Sequence, residues 1–267
     1  MNILKTVLRV VFIASVVSLF SMIQILYADT FKIGANIGNV PWEFQDKNGG
    51  YIGFEIDLVT EIAKRLKQDV EITNVPFNGL FSAVQSGRID MAISSIAITE
   101  SRLASVAFVQ PYYDSDQSLT VKKGAGINRV EDLKGKVVAV DTGSTGDMWA
   151  TAHAKEFGFA EIRRFEGITP AMLDLYIGRI HGYLSDIPAM QYYVKDKPHY
   201  EVVQRLPTGE QYSIMMAKGN PLVKDVNAVI IILKQEGFIA QIHEKWFGVK
   251  AENTTSTVQV VDLPKTR

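Results

Sequence analysis

Gly87-Arg88-Ile89-Asp90-Met91-Ala92-Ile93-Ser94-Ser95 has a counterpart starting at position 178, Gly178-Arg179-Ile180-His181-Gly182-Tyr183-Leu184-Ser185-Asp186. Both stretches read as a helix end, a tight turn, a strand and a polar tip. Glycine ends helices because it enters the left-handed region without a Cβ penalty, and a branched apolar residue suits the opening of a strand. A unit repeated in this way suggests two lobes of similar build. It also puts Ser94, Ser95, Ser185 and Asp186 at the carboxyl ends of strands, where open α/β sheets collect their ligands. The four tips should face one cleft.

Working outward, short β-like runs alternate with amphipathic segments: Phe31 to Ala35, a helix from about Gly53 to Leu66, Val70 to Val75, and a helix ending near Gly87. In the first helix Phe54, Leu58, Ile62 and Leu66 recur every fourth residue and form one apolar stripe, the mark of a core-facing helix. A second series opens with Lys136 to Val140 and continues through Met148 to Phe157, Arg163 to Phe165, Met172 to Ile177 and Gly182 to Ser185. This is the rhythm of a parallel-sheet α/β fold, and two lobes are the natural reading. Polar stretches at Asp114 to Val121 and Pro207 to Met215 are the expected crossovers. That divides the chain into a first lobe of residues 29–116 and 212–250, a second lobe of 117–211, and a loosely held C-terminal tail, 251–267, with a weak β-like run at Val258 to Val261.

Composition narrows the function. With 267 residues, 47% hydrophobic and 21% charged, the chain can bury a sizeable core. Twenty-eight Lys and Arg against 29 Asp and Glu leave no electrostatic footprint for nucleic acid. There is no cysteine, and His153, His181, His199 and His243 are scattered without ligand spacing, so no metal, thiol chemistry or other cofactor is expected. At the N-terminus Lys5 and Arg9 precede an apolar run from Val10 to Leu26 that ends near Ala28. This is the layout of an export signal over residues 1–28, with cleavage after Ala28 or retention as an anchor as its two outcomes. A soluble periplasmic protein is the simpler expectation.

The chemistry concentrates around a few charged residues. In Ala97-Ile98-Thr99-Glu100-Ser101-Arg102, Thr99 reads as a helix N-cap and Arg102 falls in the first turn, where a cation is unfavourable unless an anion joins it. A carboxylate fits the planar guanidinium fork, although a surface arginine pointing into water would fit position alone equally well. Asp141-Thr142-Gly143-Ser144-Thr145-Gly146 follows a strand and opens a helix, so the backbone at Ser144 and Thr145 could receive the same anion, or could be an ordinary turn. Asp186 supplies the opposite charge and suits an ammonium group; with Pro188 following, it also suits a helix cap. Trp42 and Phe77 follow strand ends and could stack on a ligand, though aromatic residues are more often core.

Several segments then carry a resemblance: Pro41-Trp42-Glu43-Phe44, Gly53-Phe54-Glu55-Ile56-Asp57-Leu58, Phe77-Asn78-Gly79-Leu80, Gly87-Arg88-Ile89-Asp90, Ile98 to Arg102, Asp132-Leu133-Lys134-Gly135-Lys136 and Lys245-Trp246-Phe247-Gly248. In this order the chain from Phe31 to Gly248 resembles the polar amino-acid-binding proteins of ABC transporters, a solute-binding family that is also similar to ionotropic glutamate receptor ligand-binding cores; the resemblance implies the α/β two-lobed type II periplasmic-binding-protein fold, each lobe a mixed sheet flanked by helices. The resemblance implies that Arg102 clamps the ligand α-carboxylate with backbone N–H groups at Ala97 and Thr145. It implies that Asp186 and the Ser95 carbonyl receive the α-amino group, that Phe77 forms an aromatic wall, and that Asn36 and Asp141 meet the ligand side chain. Asp141 leans towards a basic amino acid, whereas Asn36 suits glutamine or cystine equally. The implied partners are an ABC permease and its ATPase in the inner membrane, served by a monomer that closes in the Venus-flytrap manner.

No catalytic residue is expected. Two readings compete with the transport protein: a periplasmic enzyme on the same fold, similar to cyclohexadienyl dehydratase, and an anchored sensor domain. An enzyme needs a placed general acid or base, for which Glu43, Asp141 or Asp186 could nominally serve. An intact Arg102 and Asp186 pair instead suits holding a whole amino acid.

Overall fold

Two five-stranded sheets are joined by two crossovers, and the computed structural model describes residues 30–266. The expected export signal lies outside those residues. The chain runs β1 (Thr30–Ala35), a short ribbon of β2 (Phe44–Gln45) and β3 (Tyr51–Ile52), α1 (Phe54–Arg65), β4 (Asp69–Asn74), α2 (Phe77–Gln85), β5 (Met91–Ala92), α3 (Glu100–Leu103) and β6 (Val106–Phe108). It crosses to β7 (Tyr113–Lys122), β8 (Val137–Asp141), α4 (Thr145–Phe157), β9 (Glu161–Phe165), α5 (Ile168–Tyr176), β10 (Gly182–Asp186), α6 (Ile187–Val194) and β11 (Tyr200–Tyr212). It then returns through β12 (Met215–Ala217), α7 (Leu222–Gln235) and α8 (Phe238–Phe247). The strand orders are β4-β1-β5-β12-β6 and β11-β7-β10-β8-β9. In each sheet parallel strands carry the helices and antiparallel strands sit beside the crossover.

The repeated stretch has the same local chemistry in both lobes. After α2 the N–H groups of Gly87 and Arg88 donate to the carbonyls of Val84 and Ala83, and after α5 those of Gly178 and Arg179 donate to Leu175 and Asp174. Gly87 and Gly178 have φ of 71° and 77°, so both helices stop in the same left-handed closure that satisfies their last carbonyls. The stripe of α1 is buried at Phe54, Leu58 and Ile62. Its start is pinned by Gly53: a Cβ there would meet the Trp42 carbonyl oxygen at 2.1 Å.

Both crossovers are shorter than the sequence suggested: the first lies before the expected stretch, and the second is confined to the end of it. The polar run Asp114-Ser115-Asp116-Gln117 reads as a linker, yet β7 pairs with β11 continuously from Tyr113↔Tyr212 to Lys122↔Tyr200, apart from two bulges on β11. Those polar side chains are satisfied inside the second lobe, Asp116 by Arg205 at 2.5 Å and by the Gly209 N–H at 2.7 Å, so the segment is strand rather than hinge. Residues 109–112 and 213–214 make the passage. They hold each other: the Tyr112 N–H donates to the Tyr212 carbonyl at 2.9 Å, and the Ser213 hydroxyl donates to the Val109 carbonyl at 2.7 Å.

The tail is also held, not loose. It runs back over the crossovers, with the Ser256 N–H donating to Asp114 at 2.8 Å and the Val261 N–H to Gln110 at 3.3 Å. Beneath it the buried Lys234 ammonium donates to Gln110 Oε1, the Pro111 carbonyl and the Gln259 carbonyl at 2.7–2.8 Å. A buried cation needs acceptors, and the tail backbone supplies one; Val258 to Val261 forms no strand.

Candidate ligand-binding cleft

Between the lobes lies a cavity of about 260 Å³, lined by the strand tips Ser94, Ser95, Ser185 and Asp186 together with residues that follow them. Ligand pockets run from roughly 300 to 1,000 Å³, so this space suits a single small molecule.

Arg102 enters from the first lobe. Thr99 caps α3, its hydroxyl oxygen accepting the Arg102 N–H at 3.2 Å. A helix of four residues has little dipole, and the guanidinium is placed by packing: its carbon lies 5.5 Å from the Phe77 ring centre and 5.1 Å from that of Phe81. Nη1 donates to the Ala97 carbonyl at 2.6 Å and Nη2 reaches across the cleft to the Gly143 carbonyl at 3.1 Å. Nε is buried with no partner, and among the described residues no carboxylate lies within 4 Å. Arg102 is only 4% exposed. Burial lowers its pKa to about 10, with Glu210 and Asp186 pulling the other way, so the side chain is charged at neutral pH. A buried cation with a spare donor and no counter-ion is an anion site.

The second lobe presents a helix start and an acid. Ser144 caps α4 through its hydroxyl oxygen, which accepts the Asp147 N–H at 3.0 Å, and Thr145 is the first helical residue. Asp186 occupies the cap position of α6, yet its side chain makes no cap bond. It faces the cleft and takes a bond from the Gln117 amide instead. Burial, and then the neighbouring Glu210 carboxylate, push its pKa up to about 8. The Gln117 Nε2 also donates to Thr145 Oγ1 at 3.2 Å and to both Glu210 oxygens at 3.1 Å, and the Thr145 hydroxyl donates to Glu210 at 2.8 Å. Gly146 allows this close fit, because a Cβ there would stand 2.9 Å from both Gln117 Oε1 and the Leu184 carbonyl.

Asn36, Phe77 and Asp141 line the same cavity. Asp141 accepts from the Tyr183 hydroxyl at 2.7 Å and the Gly167 N–H at 3.1 Å, and burial raises its pKa to about 6. Ala97 is not part of the lining; it is buried behind it, offering its carbonyl to Arg102. Trp42 must be withdrawn from the cleft. It is fully buried among Phe54, Tyr113, Tyr212 and Phe247, with ring centres 4.6–5.5 Å away, because the turn before β2 points the indole into the first-lobe core. Sequence reading missed Gln117 and Glu210, which lie in the two stretches taken for crossovers; the pairing of β7 with β11 and with β10 brings both to Asp186. It also missed Glu166, which lines the cavity beside Asp141.

Two α/β lobes enclosing a buried cation without a counter-ion and, facing the same cavity, a carboxyl free of its capping role define a two-lobed binding protein. The chain belongs to the bacterial extracellular solute-binding proteins, family 3, whose model matches residues 31–249. It is 28% identical over 223 residues to the L-cystine-binding protein TcyJ of Escherichia coli (strain K12), covering 82% of this chain and 83% of that protein. It is 30% identical to a probable histidine-binding protein of Neisseria gonorrhoeae at the same coverage. The solved structure of an ancestral arginine-binding protein bound to arginine superposes with a TM-score of 0.78 at 37% identity, over 82% of this chain and 98% of that one. These are named as binding proteins and not as enzymes, and the chain is a solute-binding protein. Among the described residues no helix is long and apolar enough to cross a membrane.

Proposed function

We propose that this chain captures a free amino acid with a cationic side chain in the periplasm and, as a monomer, delivers it to the permease and ATPase subunits of an ABC-type importer. The observation that carries the reading is the pairing across one cavity of Arg102, a buried guanidinium with a spare Nε–H, and Asp186, a carboxylate freed from its capping role. Arg102 and the Thr145 N–H receive the α-carboxylate, beside Ser144. Asp186 and the Ser95 carbonyl receive the ammonium group, and Phe77 walls the aliphatic part. Once the zwitterion has neutralised Arg102 and Asp186, Asp141 and Glu166 are left among the lining residues. That surplus of negative charge favours a cationic side chain, with Asn36 adding a polar contact. The arginine- and histidine-binding relatives agree with this, and the cystine-binding relative marks the competing ligand.

Ligand bridging both lobes stabilises the closed form because each lobe's contacts are completed only on closure. Thermal-shift screening against the common amino acids tests the proposal, since a ligand that binds the native state raises its stability with occupancy. L-Arginine or L-lysine should give the largest shift, with the amino acid recovered unchanged. A larger shift with cystine or glutamine would overturn the cationic assignment, and turnover would overturn the transport role.

A further inference from the structure

We propose that Glu43 and Glu55 form a proton-sharing carboxyl pair that positions the first-lobe wall of the cleft and ties it to the hinge. Neither residue touches the cavity, and both are fully buried. Glu55 stands in the first turn of α1, brought against the Glu43 segment by the close approach at Gly53, with the Glu55 N–H donating to the Trp42 carbonyl at 3.0 Å. The two carboxyls are buried neighbours, one bonded to Ser94 and the other to the adjoining Ser95, and each keeps one oxygen, Oε2, with no hydrogen-bond partner.

Two adjoining carboxylates with no exposure cannot both ionise. Among the described residues no cation lies within 4 Å of either. Burial raises both pKa values, that of Glu43 furthest, and the neighbouring carboxyl adds to the rise at Glu43. One proton shared by the two carboxyls would give the unpartnered oxygens a donor and leave a single negative charge on the pair.

The remaining oxygens face outward to the parts that matter for binding. Glu43 Oε1 accepts from the Ser94 hydroxyl at 2.6 Å, and the Ser94 Oγ in turn accepts the Asn36 N–H at 3.2 Å. Glu55 Oε1 accepts the Ser95 N–H at 2.7 Å and also the hydroxyl of Tyr112, which lies in the first crossover. Asn39 joins the two sides, donating to Ser95 Oγ at 3.0 Å and to Glu43 Oε1 at 3.4 Å. Ser95 holds a left-handed φ of 43°, a conformation a serine keeps only when its surroundings fix it. The pair thus sets Asn36, Asn39, Ser94 and Ser95, and connects their geometry through Tyr112 to the first crossover.

The affinity part of this inference rests on the cleft being the amino-acid site, so the test has a ligand-free arm. In Glu43→Gln and Glu55→Gln an amide N–H replaces the shared proton and still donates to the partner carboxylate. In Glu43→Ala the donor and the Ser94 contact both go. Wild type minus Glu43→Gln infrared difference spectra of the ligand-free protein at pH 7 should show the carbonyl band of a buried protonated acid, and the Ser95 amide should be protected from hydrogen exchange in wild type and both Gln variants but not in Glu55→Ala. For L-arginine, the Gln variants should stay within about threefold of wild type and Glu43→Ala should weaken binding about tenfold or more. Absence of the acid band, or a Gln variant as damaged as the Ala variant, overturns the shared proton. Ala variants with native Ser95 protection and native affinity overturn the positioning role. If wild type binds no arginine, the infrared and exchange results decide this inference while the proposed function fails separately.

Discussion

Replacing Arg102 with methionine separates binding from folding. The guanidinium offers a carboxylate its free Nε–H and at least one more N–H once the Gly143 carbonyl gives way. Two charge-assisted bonds at about 1.5–3 kcal/mol each amount to about 3–6 kcal/mol, a loss of affinity of about 10²- to 10⁴-fold. Stability should change far less. Methionine fills the slot between Phe77 and Phe81, and the bonds lost at the Ala97 and Gly143 carbonyls are offset by removing a desolvated charge. The ligand-free variant should therefore melt within about 5 °C of wild type. Calorimetric titration with L-arginine beside ligand-free thermal melts reads both quantities. Arg102→Lys, which keeps the charge but loses the planar fork, should fall between the two. Near-native affinity in a folded Arg102→Met protein would refute the assignment of the cation as the carboxylate clamp.

Two further outcomes follow from the second lobe. A neutral Asp186 cannot pair with an ammonium group, so with its pKa pushed up to about 8 in the ligand-free protein binding must release a proton, and affinity for L-arginine should rise about 10- to 50-fold between pH 6 and pH 8. The same raised pKa gives Asp186 a contribution to ligand-free stability that is fully present below the unfolded carboxylate range and is lost as pH climbs through about 8. Titrations in buffers of different ionisation enthalpy measure the released proton, and a flat affinity profile would sink the assignment. Gly146→Ala puts a Cβ 2.9 Å from Gln117 Oε1 and the Leu184 carbonyl. Because backbone cannot yield, it should cost about 1–3 kcal/mol of stability by overpacking and weaken binding through the displaced Gln117; denaturant unfolding with an unchanged midpoint would contradict it.

Much of the architecture was legible because its signals are local. The glycine closures after α2 and α5, the apolar stripe of α1 and the Thr99 cap each depend on residues within a turn or two, and the structure has them in place. Errors arose where polar or aromatic character was read without its surroundings. Asp114 to Gln117 looked like a solvated hinge but is strand, because Arg205, Gly209 and Asp186 receive its polar groups from far along the chain. Trp42 looked free to stack on a ligand but is enclosed by rings from Phe54, Tyr113, Tyr212 and Phe247. The tail looked too polar to hold, yet its backbone answers the buried Lys234.

By itself the sequence determined two α/β lobes, the placement of polar tips at their strand ends, and Arg102 and Asp186 as candidate binding groups, since periodicity, caps and turn residues act over a few positions. Tertiary structure alone decided which groups surround that pair: Glu210 and Gln117 beneath Asp186, Glu166 beside Asp141, and the Glu43 and Glu55 carboxyls behind Ser94 and Ser95. Periodicity tells which face of an element is buried, but the partner it meets is fixed by long-range strand pairing and by the need of every buried charge for a neighbour.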